Sequence, residues 1–199
     1  VPIGERVIQK VCAQLSIWRN AGLAAQQVSV NVSALQLKGE GLRHALSASL
    51  ETYALPASLI AIELTESSML DEDGVAQEEL RKLRAMGIEL EIDDFGTGYS
   101  SLSKLQSLDI DVLKIDQSFV RRLGADPQAR ALCETMVSVG RSLNISVVAE
   151  GVETDEQLRQ LQCMGCDQIQ GYLISPPVPP EKVSTLFTAT FFEPTTTDA

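Results

Sequence analysis

The sequence predicts an α/β fold on a parallel sheet, either open or closed into a barrel. Two observations predict it. Six short apolar runs alternate with helix-patterned stretches along 199 residues, which is the signature of successive βαβ units. Each run also ends in polar side chains. Polar residues that end consecutive parallel strands converge on one face of a sheet or barrel, and in a (β/α)8 barrel that face holds the active site. The runs are 28–31, 59–64, 88–92, 112–115, 146–149 and 168–173. Several are rich in Val and Ile and nearly unbroken, as strands covered on both faces require.

The intervening stretches read as helices. Residues 5–21 carry Val7, Ile8, Val11, Leu15 and Trp18 at spacings that build one apolar face. Residues 77–86 are similar, and Gly87 is a helix stop before the next strand. Asp126-Pro127 is a cap and first-turn signal for a helix over 129–143. Thr154 and Gln157 stand in capping-box spacing at the head of a helix that ends near Gly165. No linker, low-complexity stretch or charge block divides the chain. The expected domain therefore runs over 1–192, and the polar tail 193–199 is expected to fray.

Composition narrows the function. Apolar residues make up 44% and charged residues 22%, which is ordinary for a globular chain. There are 16 basic and 27 acidic residues, a net charge of −11. That balance argues against a broad DNA or RNA surface, and any phosphate ligand would need cations as intermediaries. No apolar run approaches the ~20 residues of a membrane span, and no signal-peptide pattern opens the chain. A cytoplasmic domain without membrane contact is expected. Cys163 and Cys166 form a C-x-x-C. A zinc site needs about four ligands and the single histidine, His44, is distant, so the pair reads as two small core or boundary residues. His44 lies in the helical stretch GLRHALSASL and reads as structural or solvent-facing.

The strand ends carry the chemistry. VSV is followed by Asn31; IAIEL delivers Glu63 and then Glu66; IELEI delivers Asp93 and Asp94. VLKID delivers Lys114 and Asp116, SVVAEGVE delivers Glu150 and Glu153, and DQIQGY delivers Gln170. Successive positions lie roughly 20–36 residues apart, one strand–helix unit each. Any one of these carboxylates could equally cap a helix or pair with a lysine; all six strands ending this way favour a shared site. Asn31, Glu63, Asp93 and Asp94 offer only oxygen donors, which suit hard cations such as Mg²⁺ or Mn²⁺. Without a cation their mutual repulsion would be costly. Adjacent aspartates can bridge a metal pair roughly 3.5–4 Å apart, the arrangement that clamps a phosphoryl displacement. Lys114 either neutralises these acids or positions a water nucleophile. Residues 93–101, DDFGTGYSS, form a Gly-rich loop in which Gly96 and Gly98 permit backbone conformations closed to other residues. It is either a tight connection or a movable loop that carries Asp94 into the site, with Glu66 holding it.

The strings VNVSALQL, IELTES, EIDDFGTGYSSL, LKIDQSFV, VAEGVET and GCDQIQGYLISPPVP, in this order, closely resemble the EAL-domain family of cyclic di-GMP phosphodiesterases. The resemblance runs from Val1 to about Phe187. It implies a (β/α)8 TIM-type barrel of the EAL type that uses Mg²⁺ or Mn²⁺, two ions per site, to hydrolyse cyclic di-GMP to linear pGpG, and that Ca²⁺ inhibits. By matching positions, Asn31, Glu63, Asp93 and Asp94 resemble the metal ligands, Lys114 the lysine that holds the attacking water, and Glu150 the carboxylate that assists it. Gln170 resembles the residue that completes the pocket, with Asp116 and Glu153 at its margin, and Glu66 resembles the glutamate that anchors the Gly-rich loop. A homodimer through that loop and an N-terminal sensor or GGDEF-type domain are implied as partners. The alternative is an inactive cyclic di-GMP receptor. The departures are specific. The family's Glu-Ala-Leu strand has no counterpart, and about six of eight barrel strands are expected in this chain. Pro176 and Ile174 stand where relatives often have a basic residue and Phe.

Overall fold

A computed structural model describes residues 2–23, 27–65, 68, 74–96, 105 and 108–187. Helix α1 (Pro2–Asn20) leads to β1 (Val28–Asn31), the short α2 (Ala34–Leu37) and α3 (Gly41–Thr52). Then come β2 (Ile60–Thr65), α4 (Val75–Ala85), β3 (Glu89–Phe95), β4 (Val112–Ile115) and the one-turn α5 (Gln117–Val120). Helix α6 (Pro127–Leu143), β5 (Ser146–Glu150), α7 (Asp155–Met164), β6 (Gln168–Gln170) and α8 (Val183–Phe187) complete the order.

The six strands form one parallel sheet in strict sequence order, β1 to β6. That order is the winding of a (β/α) barrel; a doubly wound sheet would reverse direction at a switch point. The sheet curls as a half-barrel does, and on its concave, polar face the side chains reach across it: Lys114 Nζ on β4 lies 2.7 Å from Glu63 Oε1 on β2, over β3.

The other face is apolar. Ile60, Ile62 and Leu64 of β2, Leu90 and Ile92 of β3, and Leu113 and Ile115 of β4 are buried against the helix layer. That layer contributes Leu42 and Leu46 of α3, Leu80 and Leu83 of α4, Met136 and Val137 of α6, and Leu158 and Leu161 of α7. Fully burying each such side chain is worth ~1.5–3 kcal/mol. The expected caps are formed. The Asp126 side chain accepts from Gln128 N ahead of Pro127, and Thr154 and Gln157 make a reciprocal capping box on α7. Two aspartates ahead of strands tie the opposite end of the sheet: Asp111 Oδ2 accepts from Leu90 N, and Asp167 Oδ2 from Val147 N.

Boundaries moved in places. Helix α1 begins at Pro2, and β6 ends at Gln170, short of the expected 173, because residues 171–174 turn back onto the β5–α7 connection. The expected tail 193–199 lies outside the described residues. Among the described residues, no helix is long and apolar enough to cross a membrane.

Candidate active site

Residues that alternate along parallel strands line one face, and that alternation gathers the polar strand ends on the concave side. Lys114 is at the centre, its side chain only 5% exposed. Its ammonium donates to Glu63 Oε1 at 2.7 Å and lies 2.6 Å from Glu150 Oε1 and 4.0 Å from Asp93 Oδ1. Asn31 Nδ2 donates to Glu63 Oε2 at 2.7 Å. Side chains from β1, β2, β4 and β5 are thereby joined, with Asp93 of β3 alongside. Burial works to lower the Lys114 pKa, but the hydrogen bonds to Glu150 and Glu63 prevail and hold it above the usual lysine value. It stays charged, a hydrogen-bond donor. Burial raises the Glu150 carboxyl, against the opposing pull of Lys114. Of the two roles open to Lys114, the ion pairs are formed; they leave the water-positioning role available, since the ammonium has three donors.

Asp93 and Asp94 present a geometric problem, because consecutive strand residues face opposite ways. A break in the β3–β4 register between Ile92 and Phe95 solves it. Asp94 adopts φ +56° and donates its backbone N–H to Asp93 Oδ1 at 2.9 Å. Positive φ is uncommon for non-glycine residues, with Asp among the more tolerant. The Asp94 carboxyl is raised by burial, then by repulsion from Asp93 and Asp116 and by a side-chain hydrogen bond with Asp116; Lys114 opposes. Both carboxylates therefore belong to one electrostatic cluster. Gly96 follows at φ +95°; the rest of the Gly-rich loop, 97–101, lies outside the described residues, as does Glu66.

A second polar layer lies beneath. Ser29 Oγ donates to Glu91 Oε1 at 3.0 Å, reaching across β2 where Ala61 leaves room. Gln27 and Glu89 make the same crossing one step lower. Glu91 is 7% exposed, and burial pushes its carboxyl up to about 7, partly offset by the Ser29 hydrogen bond. The sequence reading passed over this layer, although Glu89, Glu91 and Asp93 recur at period two within IELEIDD.

Other expected residues fall at the margin. Asp116 caps α5 through Ser118 N. Glu153 is 3.7 Å from Arg121 on an exposed edge. Gln170 pairs in register with Glu150 and is exposed. Cys163 is exposed, and the Cys166 thiol donates to the Val147 and Gln168 carbonyls, with burial pushing it up to about 11. A thiol so shifted is a poor nucleophile, in keeping with a packing role. His44 is 67% exposed beside Glu40.

Among the described residues, no three His, Cys, Asp or Glu side chains stand close enough to form a ready-made metal site. The donor chemistry nevertheless suits a hard cation. Asn31, Glu63, Asp93 and Asp94 contribute only oxygens, carboxylate oxygens keep acceptor capacity beyond one hydrogen bond, and the raised Asp94 and Glu150 carboxyls mark negative charge that a cation would relieve.

The sequence pattern of the EAL domain matches residues 2–177. The oxygen sensor protein DosP of Escherichia coli (strain K12) is 41% identical over 181 residues, 91% of this chain and 23% of DosP. MucR of Pseudomonas aeruginosa, a bifunctional diguanylate cyclase/cyclic di-GMP phosphodiesterase, is 40% identical over 183 residues, 92% of this chain and 27% of MucR. The chain thus spans about a quarter of the length of these relatives. The solved MucR phosphodiesterase, in complex with c-di-GMP, superposes with a TM-score of 0.87 at 40% identity over 92% of this chain and 74% of that one. Klebsiella pneumoniae BlrP1 with manganese and c-di-GMP gives 0.76 at 31% identity, covering 87% of this chain and 45% of BlrP1; its calcium complex gives the same TM-score and identity, covering 87% and 44%. These neighbours extend the observed parallel sheet to the EAL-type TIM barrel.

Proposed function

Because this chain belongs to the EAL-domain family, we propose that it is a cyclic di-GMP phosphodiesterase that hydrolyses one phosphodiester of the ring to give linear pGpG. The observation that carries the reading is Lys114, buried and charged among Glu63, Asp93 and Glu150 at the carboxyl ends of the strands. The likeness to MucR and BlrP1, whose structures hold c-di-GMP, supports the substrate.

In this reading Asn31, Glu63, Asp93 and Asp94 would hold divalent cations, Mg²⁺ or Mn²⁺. Such ions supply Lewis-acid polarisation of the phosphoryl oxygens and lower the pKa of water. The chain's own residues do the rest. Lys114 donates to the attacking water and fixes its oxygen. Glu150, its carboxyl raised by burial, is placed to accept the proton that water loses. The P–O3′ bond breaks as the new P–O bond forms, and the departing 3′ oxygen takes up a proton from solvent water, while the proton on Glu150 returns to solvent. Gln170, Asp116 and Glu153 shape the rim. The cytoplasmic location, the homodimer through the Gly-rich loop and the attached sensor or GGDEF-type domain belong to the same proposal.

The alternative is a receptor that binds cyclic di-GMP without turnover. Incubation of the full-length protein with cyclic di-GMP and Mn²⁺, followed by chromatography, decides. Formation of pGpG that Asp93→Asn and Glu63→Gln each abolish is expected. Full turnover by either variant would refute the site, and binding without product would establish the receptor.

A further inference from the structure

The capping box of α7 asks one bond of the Gln157 side chain, to the N–H of Thr154. The structure gives that side chain more. Gln157 is 8% exposed, and its Oε1 accepts from Thr154 N at 3.0 Å and from Glu153 N at 2.8 Å. Its Nε2 donates to the Val120 carbonyl at 3.2 Å, at the end of α5. The bonds to Glu153 and Val120 lie outside the cap, and no helix start requires them. One buried amide thus joins α7, the β5–α7 connection and α5.

The last two segments continue the strands that carry the central ion pair. β4 delivers Lys114 and runs through Asp116 into α5, while β5 delivers Glu150 and runs into 151–154. The β4–β5 ladder ends at the pair Ile115–Ala149, so Lys114 stands within it and Glu150 one residue beyond. On its other side Glu150 is in register with Gln170, and Val152 N donates to Gln170 O at 3.0 Å. Toward α5 the approach is close: a Cβ on Gly151, at φ +68°, would stand 2.6 Å from Gln117 Cβ. The Arg121–Glu153 pair crosses the same seam, but at 3.7 Å and exposed it is weak. Among the described residues, the hydrogen bond that joins the two continuations past the ladder comes from a side chain, Gln157 to Val120.

We propose that Gln157 is a positioning residue for the reaction, which sets how Glu150 and Glu153 stand relative to Lys114 and Asp116 by tying their two segments together. The inference rests on the phosphodiesterase reading above and deepens it. The side-chain hydrogen bonds of Gln157 all go to backbone groups, so it acts through Glu150 and not on the substrate. Lys114 and Glu150 are 2.6 Å apart, and a shift on the order of 1 Å in a reacting group can cost up to about a hundredfold in rate.

Two substitutions separate this tie from the cap. Glutamate is a standard capping-box partner, so Gln157→Glu keeps the bonds accepted from Thr154 and Glu153 and loses the donor to Val120. Thr154→Ala weakens the cap and leaves that donor in place. In the full-length protein with Mn²⁺, pGpG formation gives kcat and KM, and urea denaturation gives stability. Gln157→Glu is expected to lower kcat about tenfold, with KM within about threefold and the urea midpoint close to that of the wild type. Thr154→Ala is expected to do the reverse, lowering the urea midpoint with kcat within about twofold. Gln157→Asn is neutral but too short to reach Val120. It covers the case in which a carboxylate beside that carbonyl unfolds the chain, and it should lose kcat as Gln157→Glu does. Wild-type kcat in either glutamine variant overturns the proposal, as does a loss confined to KM. An equal loss of kcat in Thr154→Ala, or failure of both glutamine variants to fold, overturns it too and reduces Gln157 to a structural cap. A wild-type protein that forms no pGpG would instead remove the phosphodiesterase reading, and the proposal with it.

Discussion

Lys114 and Glu91 are buried charges of opposite kinds, and each makes a prediction. Lys114 is the cation paired with both Glu63 and Glu150, which are 12% and 18% exposed. Removing one partner of a buried ion pair leaves the other uncompensated, at a cost of ~3–5 kcal/mol. Lys114→Ala should lower unfolding free energy by about that much in EDTA, as read by urea denaturation, and should depress kcat more than it changes KM. A KM effect alone would make it a binding contact. Glu91 works the other way. Its folded carboxyl is pushed up to about 7 from an ordinary 4.5, so between those values the folded state holds more protons than the unfolded one, and stability falls as pH rises through that window. The loss is on the order of 1–3 kcal/mol. Glu91→Gln in EDTA should flatten the decline between pH 5 and 8, and an unaltered pH profile would place the titration elsewhere. Little of this was legible beforehand. The run IELEI reads as an apolar strand, and the Ser29–Glu91 crossing depends on Ala61 leaving space in a strand that lies between them.

At the scale of elements, local signals carried far because they act within a few residues. The Asp126-Pro127 start of α6 and the Thr154–Gln157 box of α7 depend only on near neighbours, and both were readable. Thr154→Ala should cost about 1 kcal/mol in thermal or urea unfolding. What depends on close packing between elements was not readable. Gly140, inside α6, looks like a propensity defect whose replacement by Ala would stabilise the helix by about 1 kcal/mol. The structure reverses the sign. A Cβ there would be 2.2 Å from Val147 Cγ2 and 2.9 Å from the Ile145 carbonyl oxygen, and that backbone atom cannot rotate away. Gly140→Ala should therefore destabilise by ~1–3 kcal/mol, and a raised melting temperature would show that α6 and β5 can separate at little expense. The same limit applies to Asp94. Its left-handed backbone and the register break beside it come from pairing between β3 and β4, which no single strand's pattern encodes.

For the whole molecule, the alternation of elements and the polar strand ends were enough to foresee a parallel sheet with one chemical face, because topology dictates which ends converge. The electrostatic consequence is a chain of net charge −11 in which three strand-end carboxylates, Glu63, Asp93 and Glu150, gather around one lysine. Burial and mutual repulsion raise Asp94 and burial raises Glu150, so a divalent cation has unfavourable charge to relieve in the folded state and no assembled site in the unfolded one. Linkage then requires stabilisation that grows as the logarithm of metal concentration, ~2.7 kcal/mol at a hundredfold excess over the dissociation constant. Mn²⁺ titrated into EDTA-treated full-length protein should raise the melting temperature in proportion to log concentration once past saturation. Diffuse association with an acidic surface would do the same in part, so the control is local: Glu63→Gln combined with Asp93→Asn changes the net charge by only two and should abolish most of the shift, whereas Glu134→Gln combined with Glu156→Gln, on the exposed faces of α6 and α7, should retain it. A shift that survives the first pair would mean the cation binds elsewhere, and Lys114 would then balance Glu63, Asp93 and Glu150 without a metal.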